Sequence, residues 1–246
     1  MSDVRRPVTG DPIDAVLAQL VAGVPGARVI DVGGGSGTRA VPLACLGCRV
    51  TVVDSSVNAL AILHRRAQDA GVDDLVTGVQ ADADQLGTVV PPGQADLVLC
   101  HHLLETVDDP TAVVAAMASA IRPGGLVSVL VTSRLGAVLR QILAGRYAAA
   151  GSILTDPDGR LGFADPLRRR FEPVGMADLL THVGLQVEAV VGIGVVAGLV
   201  AGGGRMSSAG TDSELAELEE LASAHRTLRD LAPQLHLLAR RPESVG

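Results

Sequence analysis

A mostly parallel α/β sheet with helices on both faces is what the sequence predicts, and three observations predict it. Short apolar runs rich in β-branched residues alternate with segments whose apolar residues recur at helical spacing. The runs RVIDV (28–32) and RVTVVD (49–54) each carry an acid at or next to their end. The first leads straight into GGGSG (33–37), a glycine density that neither a strand nor a helix tolerates. Strands that alternate with helices pair in parallel, because each crossover is long enough to hold a helix.

The elements follow in order. Residues 12–22 predict a short amphipathic helix, and 28–32 a buried strand. The helix after the glycines is expected to turn Val41, Ala44 and Cys45 inward. Residues 49–54 predict the second strand, and Ser55 or Ser56 caps the next helix, where Leu60, Leu63 and Ala67 share a face before Gly71 ends it. LVTGVQ (75–80) and ADLVLCH (95–101) predict further strands. Asp109-Pro110 opens a helix bearing Val113, Met117 and Ile121. PGG (123–125) predicts a turn, 126–132 the fifth strand, and 136–149 a helix. Residues 150–171 predict a loop. A helix at 174–183 and a strand at 185–193 follow. Residues 202–210 predict a flexible link. Thr211 and Glu214 have capping-box spacing, ahead of a stripe of Leu215, Leu218, Leu221 and Leu228 expected to face the core or form a lid helix, with dimerisation as the alternative; 235–240 closes as a strand. With no sharp change in composition, one domain is expected over 1–246, with a helical lead at 1–26 and lid or substrate loops at 150–172 and 192–211.

Composition narrows the function. The chain has 246 residues, a net charge of −7 and a mean hydropathy of +0.37, so it can build a sizeable core and carries no basic field for nucleic acid. It has no lysine, and Tyr147, Phe163 and Phe171 are its only aromatics, too few for base-stacking platforms. An odd cysteine count (Cys45, Cys48 and Cys100) fits a reducing, cytoplasmic setting. Cys45 and Cys48 have C-x-x-C spacing, but at the end of a helix, where no dipole lowers a thiol pKa. No targeting signal or membrane span is expected.

The glycines and acids carry the chemistry. In open α/β sheets ligands bind beyond the carboxyl ends of the strands. Glycines there let the turn fold tightly and let a ligand lie against bare backbone. Gly33, Gly35 and Gly37 read G-x-G-x-G, and Thr38 stands where a dinucleotide fingerprint has its third glycine. Asp31, Asp54 and Asp82 then follow three successive strands along one edge. Asp54 can accept both hydroxyls of a ribose, and Asp82 an exocyclic amine.

These pieces resemble a class I S-adenosylmethionine-dependent methyltransferase. The matching stretches are VIDVGGGSG, VTVVDSS, QADADQL, DLVLCHHLLETVDDP and IRPGGLVSVL. The resemblance implies a Rossmann-like, seven-stranded, mostly parallel sheet with a C-terminal antiparallel hairpin. It implies that Asp31, Gly33, Gly34, Gly35 and Gly37 hold the methionine end, that Asp54 with Ser55 holds the ribose, that Asp82 with Ala83 meets the adenine, and that His101 lines the sulfonium region. S-adenosyl-L-homocysteine would be the product. Within the family, LCHHLLETVDDP, LAGRY, DPLRRRFEP and LHLLARRP resemble the group that methylates the carboxymethoxyuridine of tRNA. The stretch VVGIGVVAGLVAGGG departs from that group in having neither aromatic nor histidine, so the acceptor stays open between a small molecule and a tRNA wobble-base carboxylate.

Methyl transfer from a sulfonium is an in-line displacement that rests largely on alignment. A carboxylate acceptor needs no base, whereas an alcohol or amine often does. His101, His102 and Arg134 are the candidate catalytic residues: the histidines as cofactor contact or base, Arg134 as a clamp on a carboxylate or phosphate. Arg168, Arg169 and Arg170 read as a solvated face or an anion contact. No metal is expected, because His102 and Glu105 lack a third ligand. Competing readings are a non-catalytic protein that binds the same cofactor and an NAD-type oxidoreductase.

Overall fold

A computed structural model describes residues 11–200 and 209–243. In chain order they form α1 (Pro12–Val21), β1 (Arg28–Val32), α2 (Ala40–Cys45), β2 (Arg49–Asp54), α3 (Val57–Asp69), β3 (Val76–Gln80), α4 (Leu86–Val89), β4 (Ala95–His101), α5 (Pro110–Ala120), β5 (Ile121–Thr132), α6 (Arg134–Leu143), α7 (Tyr147–Thr155), α8 (Pro173–His182), β6 (Gln186–Ile193), α9 (Val195–Val200), α10 (Ala209–Ala224) and β7 (Gln234–Arg240). The sheet runs β3-β2-β1-β4-β5-β7-β6. Every pair is parallel except those of β7, which lies antiparallel between β5 and β6. The sheet is therefore the seven-stranded, Rossmann-like one with a C-terminal antiparallel hairpin.

Period-2 alternation sorts the strand residues onto two cores. Ile30, Val32, Val98, Cys100, Val127 and Val129 pack with Val113 and Met117 of α5 and Met176 and Leu180 of α8. Val29, Val50, Val52, Leu97, Leu99 and Leu130 pack with Ile13 and Leu17 of α1, Leu43 and Ala44 of α2 and Leu63 of α3. Asp31 faces this second layer, because it is register-paired with Leu99. Among the described residues no helix is long and apolar enough to cross a membrane.

Several expectations change. In α2 the inward residues are Ala40, Leu43 and Ala44, and Cys45 is exposed. Of the two serines expected to cap α3, Ser56 does so, accepting from the Ala59 N–H at 3.2 Å. PGG is a bulge inside β5 rather than a turn before it. Gly124 takes φ +74°, Gly125 leaves no room for a Cβ beside Ile121 and the Asp96 carbonyl, and Ala95 pairs with Ile121 beyond the interruption. The helix expected over 136–149 is two, α6 and α7, parted at Gly145 with φ +71°. Helix α7 takes the start of the expected 150–171 loop. The leucine stripe of α10 is not core: Leu218 and Leu221 are 50% and 73% exposed. What α10 turns inward is Ala222 and the Glu219 carboxylate, which accepts the Val195, Val196 and Ala197 N–H groups at the start of α9. The link expected at 202–210 falls mainly on 201–208, outside the described residues, as does the first part of the lead.

Candidate functional site

The carboxyl ends of β3, β2, β1 and β4 lie side by side, and they bring the acids and the glycine turn together. The turn after β1 starts with the Gly33 N–H donating to the Val53 carbonyl at 2.7 Å, so it is anchored on β2. Gly33, Gly35 and Gly37 take φ of +71°, +54° and +77°, which glycine adopts without steric cost. Gly34 is needed for room instead: a Cβ there would overlap the Asp31 carboxylate. Bare backbone thus rings a buried acid.

Asp31 is 2% exposed. Burial pushes its carboxyl up to about 7; Arg39 opposes the shift and Asp54 adds to it. Asp54, at the end of β2, accepts the Gly35 N–H at 2.9 Å and the Ser56 N–H at 2.8 Å. Ser55 is exposed beside it. Asp82, beyond β3, is exposed with no side-chain partner among the described residues, and Ala83 packs against the core.

His101 closes β4. Its Nε2 lies 2.9 Å from Ser128 Oγ, and its buried Nδ1 has no partner. Burial, with His236 and Arg39 nearby, holds its pKa well below the ordinary histidine value. His102 takes φ +58°, the one positive φ outside glycine among the described residues. Its Nδ1 lies 3.2 Å from the Oε1 of buried Glu105, which also accepts the Thr132 N–H and hydroxyl at 2.7 and 2.9 Å. A carboxylate on Nδ1 leaves Nε2 as the basic nitrogen.

Arg134 is not at the mouth of this site. Its guanidinium donates to the carbonyls of Ile153, Leu154 and Asp156 and pairs with Glu172 at 3.5 Å. A cation there caps the C-terminus of α7, where the helix dipole favours positive charge, so the expected anion clamp is corrected to a helix cap. The arginine run is a solvated face only in part: Arg168 is exposed, Arg169 half-buried and Arg170 buried. Arg168 pairs with Asp108, Arg169 donates to the Leu104, Val107 and Asp108 carbonyls, and Arg170 is buried against Asp165. Arg168 and Arg169 fasten the 156–171 segment to the loop after β4, and Arg170 ties that segment to itself through Gly159 and Asp165. Cys48 is buried, which raises its thiol pKa, as does nearby Asp96; that leaves a packed thiol rather than a redox pair.

Sequence reasoning missed Arg39, Ser128 and His236. Arg39 pairs with Asp11 at 2.6 Å and with Asp14, tying α1 to the end of the glycine turn. No motif links residues so far apart. A cavity of about 510 Å³ opens at the carboxyl end of β5 and the start of β7, lined by Thr132, Gly136, Arg140, Leu167, Arg170 and Gln234.

Comparison with known proteins gives the family and agrees with the fold. The model of a family described as "Methyltransferase domain" matches residues 30–129. A ubiquinone biosynthesis O-methyltransferase from Xanthomonas euvesicatoria is 32% identical over 170 residues, 68% of this chain and 66% of the relative. One from Burkholderia pseudomallei is 31% identical over 184 residues, 74% of this chain and 75% of the relative. The tRNA 5-carboxymethoxyuridine methyltransferase of Escherichia coli is 30% identical over 144 residues, 58% of this chain, so the chain spans about half (54%) of that relative's length. In fold, the chain is similar to an S-adenosylmethionine-dependent methyltransferase from Mesorhizobium loti, with TM-score 0.61 and 22% identity over 92% of this chain and 96% of that one. The chain belongs to the S-adenosylmethionine-dependent methyltransferases.

Proposed function

We propose that this chain binds S-adenosylmethionine over the ends of β1–β4 and methylates an oxygen of a small molecule. The observation that carries the reading is the glycine turn: a backbone cradle closed by the Asp31 carboxylate on one side and bonded to Asp54 on the other. Two further observations support the fit. His101 Nδ1 is a buried polar atom with no partner, and the Asp54 oxygens each keep a lone pair after their backbone bonds.

When bound, the cofactor supplies an activated methyl on a sulfonium. Gly33, Gly34, Gly35 and Gly37 admit it against the backbone, and Asp31 balances its positive charge. Asp54 with the Ser55 backbone receives the ribose, and Asp82 with Ala83 the adenine. His102, its ring held by Glu105, takes the proton from a hydroxyl acceptor at Nε2. The net charge of −7 and the few aromatics favour a small acceptor over tRNA. The named relatives suggest oxygen as the receiving atom.

Calorimetric titration with S-adenosylmethionine, S-adenosylhomocysteine and NAD tests the binding. The first two are expected to bind and NAD not. Release of S-adenosylhomocysteine is then followed with phenolic and carboxylic acceptors and with bulk tRNA. Binding without turnover on any of them would favour the non-catalytic reading.

A further inference from the structure

Three polar side chains from three strands meet under the site, on the sheet face that carries Asp31. His101 ends β4, Ser128 lies in β5 and His236 in β7. Ser128 and His236 are fully buried. Ser128 Oγ sits 2.9 Å from His101 Nε2 and 2.8 Å from His236 Nε2, and the two rings meet edge to face at 6.2 Å between centroids.

A hydroxyl has one proton, so the hydrogen bonds on either side of it are coupled. Ser128 donates to one imidazole and accepts from the other. If His236 donates, Ser128 donates to His101 Nε2, and His101 must carry its proton at Nδ1. That proton would be a buried donor with no acceptor. If His101 donates from Nε2, Ser128 passes its own proton to His236 Nε2, and His101 Nδ1 is a bare lone pair. Orphaned buried N–H groups are the rarer kind of unpaired polar atom, which favours the second arrangement. Both rings are neutral near pH 7: burial and the Arg39 charge hold His236 down to about 4, and burial, His236, Arg39 and His102 hold His101 well below its ordinary value.

Strand order says what the lone pair meets. With ribose and adenine over β2 and β3, the rest of the cofactor runs across β1 toward β4, where His101 stands. We propose that Ser128 and His236 are positioning residues that hold His101 in its Nε2–H tautomer, so that bare Nδ1 faces the cationic sulfonium end of S-adenosylmethionine. The proposal rests on the binding reading above. A lone pair aimed at a sulfonium favours the charged cofactor over the neutral thioether product, whereas an N–H would reverse the preference. The other charged groups of this region are Asp31 on β1, Arg39, which is held by Asp11 and Asp14, and His102 with Glu105.

The test has two arms on the full chain. Long-range ¹H–¹⁵N spectra of histidine-labelled protein at pH 7, assigned with His101→Gln and His236→Gln, report each ring's tautomer without a ligand. His101 is expected with a proton on Nε2 and a pyridine-type Nδ1. A proton on Nδ1 would overturn the proposal and leave cofactor binding intact. Calorimetry then compares S-adenosylmethionine with S-adenosylhomocysteine. Ser128→Ala is expected to cut the preference for the sulfonium by about tenfold while S-adenosylhomocysteine binding persists, and Ser128→Thr, which keeps the hydroxyl, to retain it. An unchanged ratio in Ser128→Ala would overturn the proposal. Failure of the wild type to bind either ligand would overturn the binding reading and, with it, this one.

Discussion

The carboxylate of Asp54 accepts the backbone N–H of Gly35 at 2.9 Å, so the acid that ends β2 is bonded to the glycine turn that follows β1. Its second oxygen holds the Ser56 N–H at the start of α3. One side chain therefore sets the turn and the start of α3. Asp54→Ala removes both acceptors and, on the proposed reading, the ribose contacts. Each hydrogen bond to a charged group contributes about 1.5–3 kcal/mol, so affinity for S-adenosylmethionine is expected to fall by about 100-fold or more in calorimetry. Asp54→Asn keeps one acceptor oxygen and should fall between. Unchanged affinity would remove Asp54 from the site.

Gly34 differs from its neighbours because its φ is ordinary and only space forbids a side chain. Gly34→Ala forces its methyl into the Asp31 carboxyl, which is itself buried and cannot swing into water. Overpacking of this kind costs about 1–3 kcal/mol. The variant is expected to lose that much in urea denaturation and to lose cofactor affinity. Gly23→Ala, where nothing lies within 4 Å of the added carbon, is the control and should lose neither.

Sequence signals were clear where they were local. Strand ends, the turn and the caps at Ser56 and Asp109 depend on residues within a few positions of one another. Most of the failures required distant partners; the break at Gly145 between α6 and α7 is a local one, closed by its N–H on the Ile142 carbonyl. PGG reads as a turn until the pairing of Ala95 with Ile121 carries β5 through it. Arg134 reads as a pocket arginine until the carbonyl end of α7 comes to meet it. Leu218 and Leu221 read as core until α10 docks through Ala222 and Glu219 instead. Ser128 and His236 look like ordinary strand residues, 108 positions apart, and only the antiparallel entry of β7 beside β5 makes them neighbours.

Burial holds the Asp31 carboxyl protonated up to about 7 in the folded chain, against 3.8 for a free aspartate. The folded state therefore binds more protons than the unfolded state between those values, and the ligand-free chain loses stability as pH rises through this window. A cationic ligand beside Asp31 favours the ionised form. Binding of S-adenosylmethionine near pH 6.5 is thus expected to release part of a proton. Calorimetry in phosphate and in Tris, whose ionisation heats differ, should give different apparent enthalpies. Asp31→Asn should abolish the difference, weaken binding and make the ligand-free chain more stable at pH 8. Equal enthalpies in both buffers for the wild type would show that Asp31 does not change protonation on binding.

His102 and Glu105 set stability against function. Left-handed backbone costs a non-glycine residue about 1–2 kcal/mol, and His102 sits at φ +58°. The surroundings enforce it: the His102 N–H donates to the Leu130 carbonyl at 2.8 Å, and the ring meets Glu105. Burial raises the Glu105 carboxyl, but the hydrogen bonds from His102 and Thr132 outweigh it and leave the pKa below the ordinary value. Glu105 thus stabilises the fold above the ordinary glutamate pKa, and that contribution is lost as pH falls below it. Glu105→Ala strands the Thr132 N–H and hydroxyl and should cost about 3 kcal/mol in urea denaturation, because each unsatisfied buried group costs about 1–3 kcal/mol. His102→Gly removes the backbone cost of about 1–2 kcal/mol but also the hydrogen bond to buried Glu105, so the two nearly cancel and stability is expected to change by about 1 kcal/mol or less. If His102 Nε2 takes the acceptor's proton, the same substitution lowers turnover on a hydroxyl acceptor by about 100-fold or more while cofactor affinity holds. A variant that folded and kept full turnover would show that the strained histidine is not the base.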